Sequence, residues 1–325
     1  MSGRRRRPPT LVTLAARAAA DHQLFGRGDL VLCGVSGGPD SSAMLHALAL
    51  LRRRIGHELV AVGVDHGLRS GAAAELQVAA RLAEKLGVSY ETRRVRVPRS
   101  GNLQMQARQQ RLAALQNAAA RHGAQVVATG HTADDRAETV VLRLLRGTGP
   151  RGLAALPPRA PSPVAPRRGR AVDLVRPLLA ARRSDVLVHL ERHGVRAASD
   201  PSNRDRRFLR VRVRHEVLPL LEQLSPRIVE HLCALADMVD SGSGVDPAAD
   251  LLAGAAPLPL VLADAGTPVQ DQAMIELCAA LGRSQRQAIA RAVRLRKGGA
   301  RIRVAGGRDL ELRFFAGTPV LLLRK

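Results

Sequence analysis

The sequence predicts an α/β protein: a doubly wound, largely parallel sheet with helices on both faces, followed by a small C-terminal α+β unit. Three observations predict it. Apolar runs of strand length alternate with helix-length segments from residue 30 to about residue 180, which implies right-handed crossovers between parallel strands. Three of those strands end in short polar loops, after Val35, Val64 and Gly130. The chain closes on three short strand-like runs joined by GGRD and AGT, a meander.

In order, residues 11–24 are expected as an Ala-rich helix. The apolar run LVLCGV, 30–35, is a strand, stopped by Ser-Gly-Gly-Pro, and 42–54 the helix that follows. ELVAVGVDHGLR carries a second strand over 59–64, then a polar loop and a helix over 72–86. SYETRRVRV is the third strand, 104–121 a long helix, AQVVATGH the fourth strand and 133–146 its helix. DLVRPLL is a fifth strand with a turn. PPRAPSPVAPRRGR, 157–170, is rich in Pro and Arg and is expected as a mobile surface loop or lid. Residues 182–221 are mostly helical. Helices over 271–282 and 285–294 precede the strands RIRVA, LELRFF and VLLLR.

The domain organisation expected from this is an α/β domain over 1–225, with 1–10 as a basic tail. A helix and linker follow over 226–248, where DSGSGVDP is the linker, and then a small basic domain over 249–325.

Net charge is +23 over 325 residues, well beyond what solubility needs, and points to a polyanionic partner such as nucleic acid. Aromatics are 2% of the chain, which argues against binding bases by stacking. Cys33, Cys233 and Cys278 are far apart with no C-x-x-C pair, so no zinc or iron–sulfur site is read, and reduced thiols fit a cytoplasmic protein. The basic N-terminus lacks the apolar core of a secretory signal. No apolar run is long enough to cross a bilayer, so no membrane partner is expected.

In sheets of this kind ligands sit at the carboxyl ends of strands, so the three polar loops converge on one site. The strand–SGGPDS–helix turn has the makings of an anion cradle. Gly37 and Gly38 let the backbone approach phosphates, the helix N-terminus adds positive potential, and Ser36, Ser41 and Ser42 add hydroxyls. Asp40 beside Pro39 is placed to hold a phosphate-bound divalent cation. The bland alternative is a tight turn with Asp40 or Ser41 as helix cap. On the 133–146 helix, His131, Asp134, Asp135 and Glu138 recur at i, i+3, i+4 and i+7, putting an imidazole and three carboxylates on one face. Thr132 with Asp135 makes a capping box. Capping does not explain Glu138, whose bland reading is a surface residue paired with Arg136 or Arg143. Arg108 with Arg111, and Arg143 with Arg146, lie one turn apart. Their guanidinium geometry suits phosphate and carboxylate, a solvated cationic face being the alternative. Asp65 and His66 follow a strand end that lines the same cleft.

SGGPDS resembles the phosphate-binding loop of the N-type ATP pyrophosphatases, the PP-loop family, in which ATP is split between its α and β phosphates. VDHGLR (64–69), ARQQR (107–111), TGHTADDRAET (129–139), RGTGPRGL (146–153), RPLL (176–179) and DPSNRDRRFLRVRVRHEVLPLL (200–221) are similar, in order, to blocks of bacterial tRNA(Ile)-lysidine synthetases. Two departures stand out: Leu112 where that family usually has Tyr, and Val211 where it usually has Asn.

The resemblance implies an ATP-pyrophosphatase domain over 1–225. It implies ATP and Mg2+ at residues 36–41, with Asp40 as the metal ligand. It implies a tRNA(Ile) with a CAU anticodon and free L-lysine as substrates, joined at C2 of cytidine 34 through an adenylated cytidine. Asp40, His131, Asp134, Asp135, Glu138 and Arg108 are then the catalytic candidates. Asp65, His66, Arg69, Arg108, Arg111 and Arg143 are candidates for tRNA or lysine contacts, as are Arg146, Arg210 and Arg214. The oligomeric state stays open, a homodimer included. A tRNA thiolase with the same loop, or a basic RNA-binding protein with an ATP pocket, are the alternatives.

Overall fold

The computed structural model describes residues 8–67, 71–98, 103–198 and 205–240, and the strands 260–262, 301–304, 308–315 and 318–324. The chain divides into two compact units, Met1–Thr139 with Leu156–Cys233, and Val140–Ala155 with Ala234–Lys325.

The first unit is built on a six-stranded sheet. Its strands are β1 (Leu30–Val35), β2 (Glu58–Asp65), β3 (Ser89–Arg94), β4 (Val126–Thr129), β5 (Arg159–Ala160) and β6 (Asp173–Val175), in the order β3-β2-β1-β4-β6-β5. All neighbours run parallel except β5, which pairs antiparallel with β6. Strand order reverses between β1 and β4, where an open α/β sheet leaves its crevice.

Both sheet faces are apolar, because successive side chains alternate sides. Val31, Cys33 and Val35 point to one core with α1 (Leu11–Asp21), α2 (Pro39–Ile55), α3 (Ala72–Lys85) and α6 (Arg183–Arg192). Leu32, Val60, Val62 and Val127 point to the other, covered by Leu112, Leu115, Ala118 and Ala119 of α4 (Leu103–His122).

Val164 and Val172 pack against this second core. Residues 157–170 form an exposed surface loop, as expected, and it is tethered to the sheet layer. It leaves the sheet at β5 and returns at β6, and two side chains of α4 clamp it. Gln116 bonds both backbone groups of Val172, at 2.8 and 2.9 Å, and the Arg167 amide donates to Asn117 Oδ1 at 2.7 Å.

α1 stops at Asp21, short of the expected 24, because Gln23 turns into the left-handed region at φ +48°. β3 ends at Arg94, short of the expected 97, although the Val95 amide still donates to the Asp65 carbonyl at 2.8 Å. α5 (Ala133–Leu145), α7 (Leu209–Arg212), α8 (Leu218–Leu224) and α9 (Ile228–Asp240) follow, α7 and α8 joined by a π turn over Val213–Val217.

In the second unit, β8 (Arg301–Val304), β9 (Arg308–Phe315) and β10 (Thr318–Arg324) form the expected meander. β7 (Leu260–Leu262), which sequence reasoning missed, pairs parallel with β10. The expected linker and the helices over 271–282 and 285–294 lie outside the described residues.

Candidate functional site

The turn after β1 is shaped by glycine. Gly37 has φ +83°, and a Cβ there would lie 2.0 Å from the Glu75 carbonyl oxygen. Only glycine tolerates both the left-handed backbone and that approach. Gly38 is the N-cap of α2 and Pro39 its first residue, where a missing N–H costs nothing. Ser41 Oγ bridges the turn: the Ser36 amide donates to it at 3.1 Å, and it donates to the Gly38 carbonyl at 3.1 Å. Ser42 Oγ ties the Gly37 carbonyl at 3.2 Å. Gly130, after β4, lets a second chain segment close on the loop, since a Cβ there would sit 2.8 Å from the Asp40 carbonyl oxygen.

The loop opens on a cleft of about 580 Å3 at the strands' carboxyl ends. Ser36, Gly38, Pro39, Asp40 and Ser41 form one wall. His66 follows β2, Arg111 and Leu115 come from α4, and His131 and Asp135 lie beyond β4. Arg183 and Arg214 complete it. Burial, then the nearby Asp135, push the Asp40 carboxyl up to about 6, and its Oδ1 is buried without a hydrogen-bond partner. A lone, desolvated carboxylate oxygen beside a phosphate cradle fits a hard divalent cation held jointly with phosphates.

The three carboxylates of α5 are divided in role. Asp134 accepts from Arg182 Nη2 at 3.0 Å and from the Arg183 amide at 2.6 Å. Burial pushes its carboxyl up, but these bonds outweigh burial and hold it below the usual range. Asp135 Oδ2 caps the helix, accepting from the Thr132 amide at 3.0 Å, as the capping box predicts. Its Oδ1 faces Arg183, Arg210 and Arg214 at 3.4–3.5 Å.

Glu138 is fully buried, with Arg183, Arg210 and Arg214 at 3.3, 2.9 and 2.6 Å. The expected surface pairing with Arg136 or Arg143 is therefore wrong for this residue. Sequence reasoning also missed Arg182 and Arg183. Their signal was two cations opening a helix, where the dipole disfavours them unless carboxylates lie opposite.

Among the described residues, no carboxylate lies within ion-pair distance of a second group of cations, Arg108, Arg111 and Arg176. Partial desolvation and then Arg210 hold the Arg108 guanidinium below its ordinary value. Burial and then Arg108 do the same to Arg111. Burial, then Arg108 and Arg136, lower Arg176 to about 10. His131 sits among them, its Nδ1 2.9 Å from Thr129 Oγ1. Burial, then Arg176, push its pKa well below the ordinary imidazole value, so the ring is neutral. Three guanidiniums around a neutral imidazole make this part of the cleft region electropositive.

Other candidates lie differently. Asp65 Oδ1 accepts from the Gly67 amide at 2.8 Å, closing the turn after β2. Arg143 donates to the Gly152 and Ala154 carbonyls, fastening the turn over Pro150–Leu153. Arg146 is exposed. Arg69 and the Arg/Lys cluster over 283–297 lie outside the described residues.

A PP-loop domain model matches residues 15–221. The tRNA(Ile)-lysidine synthase of Thermobifida fusca is 41% identical over 246 residues, 75% of this chain and 72% of that protein. That of Novosphingobium aromaticivorans is 42% identical over 212 residues, 65% of this chain and 63% of it. That of Ralstonia nicotianae is 36% identical over 299 residues, 90% of this chain and 60% of it. Among solved structures, the U34-tRNA thiolase NcsA of Methanococcus maripaludis shares the fold, with TM-score 0.59 and 17% identity, covering 70% of this chain and 78% of it.

Proposed function

The chain belongs to the PP-loop family, with the tRNA(Ile)-lysidine synthases as its relatives, and on that premise we propose that it joins free lysine to C2 of cytidine 34 in a CAU-anticodon tRNA(Ile). ATP is consumed and AMP and pyrophosphate are released. The cytidine C2 oxygen takes up the adenylyl group first. The amine of lysine then attacks C2 and AMP departs.

The supporting observation is that the cradle at residues 36–41, the Asp40 carboxylate and the Arg111–His131 wall line one cleft. The amides and hydroxyls of the cradle hold the phosphates of ATP, with stronger hold on the leaving pyrophosphate. Asp40 would hold Mg2+, which when bound neutralises phosphate charge. Arg108 and Arg111 orient the tRNA phosphate next to the reacting base. Neutral His131 accepts a hydrogen bond without adding charge.

Asp135 lines the cleft, whereas Glu138 is fully buried, so Asp135 is the α5 acid that meets the lysine ammonium. Asp134 and Glu138 act through the arginines they hold. Residues 249–325 take the body of the tRNA, which makes affinity fall steeply with salt.

A thiolase reading has no supporting feature. Among the described residues no cysteine lines the cleft, and burial pushes the Cys33 thiol up to about 12.

The test is incubation of the full chain with ATP, lysine and a minihelix bearing a CAU anticodon. The expected product carries one lysine, less one water, on the cytidine. Unmodified cytidine, with ATP intact, overturns the proposal. No helix among the described residues is long and apolar enough to cross a membrane.

A further inference from the structure

We propose that the groove between β3, α4 and the 157–170 segment is a second RNA site, gripping the sugar-phosphate backbone of the tRNA beside the nucleotide cleft; this deepens, and rests on, the reading of the chain as a tRNA-modifying enzyme. The groove is open and about 800 Å3 in volume. Five arginines line it: Arg93, Arg94, Arg121, Arg167 and Arg168.

The charge there is only partly cancelled. Glu91 holds Arg93 at 2.5 Å and Arg121 at 2.8 Å, and Arg94 lies 3.8 Å from Asp65. Among the described residues no carboxylate lies within ion-pair distance of Arg167 or Arg168, and both are exposed. The backbone that carries them is tethered: the Asn117 bond to the Arg167 amide and the Gln116 clamp on Val172 fasten the segment to α4. The exposed loop that Pro/Arg content predicts thus presents its cations from an anchored backbone.

The two sites share one helix. Arg111 and Leu115 of α4 face the nucleotide cleft, while Gln110 and Asn117 face the groove. A helix is about 10 Å across, so a strand that places one base in the cleft has phosphates within reach of the groove. Its apolar lining is Val95 with Ala113, Ala114, Ala120 and Ala165, and no aromatic residue is there for a base to stack on. A polyphosphate backbone needs cations in fork geometry and amide donors, which the groove has.

The test measures binding of a labelled full-length tRNA(Ile) transcript across a salt series. Arg167→Ala/Arg168→Ala is compared with the wild type and with Arg53→Ala/Arg54→Ala, a pair of exposed arginines at the far end of α2. The expected result is at least fivefold weaker RNA binding for the groove variant. Its log–log salt slope should be shallower by about 1.4, the value for two single-strand phosphates. ATP affinity and thermal midpoint should match the wild type, and the α2 pair should have a smaller effect. RNA binding equal to wild type, or an equal loss in the α2 pair, overturns the proposal. So does polyglutamate that displaces RNA from the wild type as well as competitor RNA does. The minihelix assay runs alongside on the wild type. A groove effect without lysine transfer sinks the proposed reaction alone; lysine transfer without a groove effect sinks the groove alone.

Discussion

Glu138 Oε1 accepts from Arg214 Nε at 2.6 Å, with the Glu138 side chain wholly removed from solvent. Arg183 and Arg210 share the same carboxylate, so one acid on α5 ties down α6 and the start of α7. Each guanidinium keeps some contact with water, which offsets its desolvation. The carboxylate has none, and those three partners are what offset its burial.

Glu138→Ala should therefore act on stability first. It leaves three guanidiniums with only Asp135 Oδ1 at 3.4–3.5 Å, at a cost of about 3 kcal/mol, the lower end for breaking a buried pair because the arginines are partly exposed and keep that second acid. The expected outcome is a lowered thermal midpoint with weakened ATP binding, since Arg183 and Arg214 line the cleft. A midpoint equal to wild type would show that the arginines do not depend on Glu138.

Asp40 should behave in the opposite sense. Its folded-state pKa, about 6, lies above the ordinary value of 3.8, so the folded protein binds the proton more tightly than the unfolded chain. Ionised Asp40 thus costs stability above about pH 6, and the cost is relieved as pH falls from 6 toward 4. Asp40→Asn should raise the thermal midpoint at pH 8, with the gain shrinking below pH 6. Turnover should be abolished, while tRNA affinity is spared. A variant that is active, or no more stable at pH 8, removes Asp40 from the metal role.

His46 and His189 give a second pH dependence, away from the cleft. His46 Nδ1 lies 3.0 Å from His189 Nε2, and the His193 ring is 4.9 and 4.6 Å from the two. Burial, then His193, lowers the His46 pKa, and burial, then His46, His193 and Arg192, lowers His189 to about 4. The unfolded chain binds these protons near pH 6.5 and the folded protein resists them. Stability is full above pH 6.5 and is lost as pH falls toward 4. His189→Gln should flatten the fall in thermal midpoint between pH 7 and pH 5; an unchanged slope would place the pH dependence elsewhere.

Gly37→Ala should weaken ATP binding at least tenfold. The added methyl meets the Glu75 backbone rather than a movable side chain, and φ +83° is strained for alanine. Isothermal titration with ATP checks it, and affinity equal to wild type would mean that the turn relaxes without harm to the cradle.

Much of the site was legible in the chain. SGGPDS, with an apolar strand before it and a helix after it, specified the cradle, because glycine spacing and strand length are local properties. The Thr132–Asp135 capping box was legible for the same reason. Glu138 was not. Its spacing placed it on the face of Asp134 and Asp135, yet its partners come from about 45 to 76 residues away. For the 157–170 segment, Pro and Arg content predicted exposure but not which helix the loop is tied to. Gln116 and Asn117, the residues that tie it, carry no signal of their own.

By itself the sequence determined the alternation of strands and helices, the convergence of three loops at one sheet edge, and the strong positive charge. Periodicity, glycine and net charge act locally or add over the whole chain, so no contact map is needed to see them. Only the tertiary structure decided which arginines are spent on Asp134, Asp135 and Glu138, and which, like Arg167 and Arg168, have no carboxylate within ion-pair distance among the described residues. That choice depends on distances between segments remote in sequence, and at a few ångströms such distances settle whether a charge holds the fold or faces a ligand.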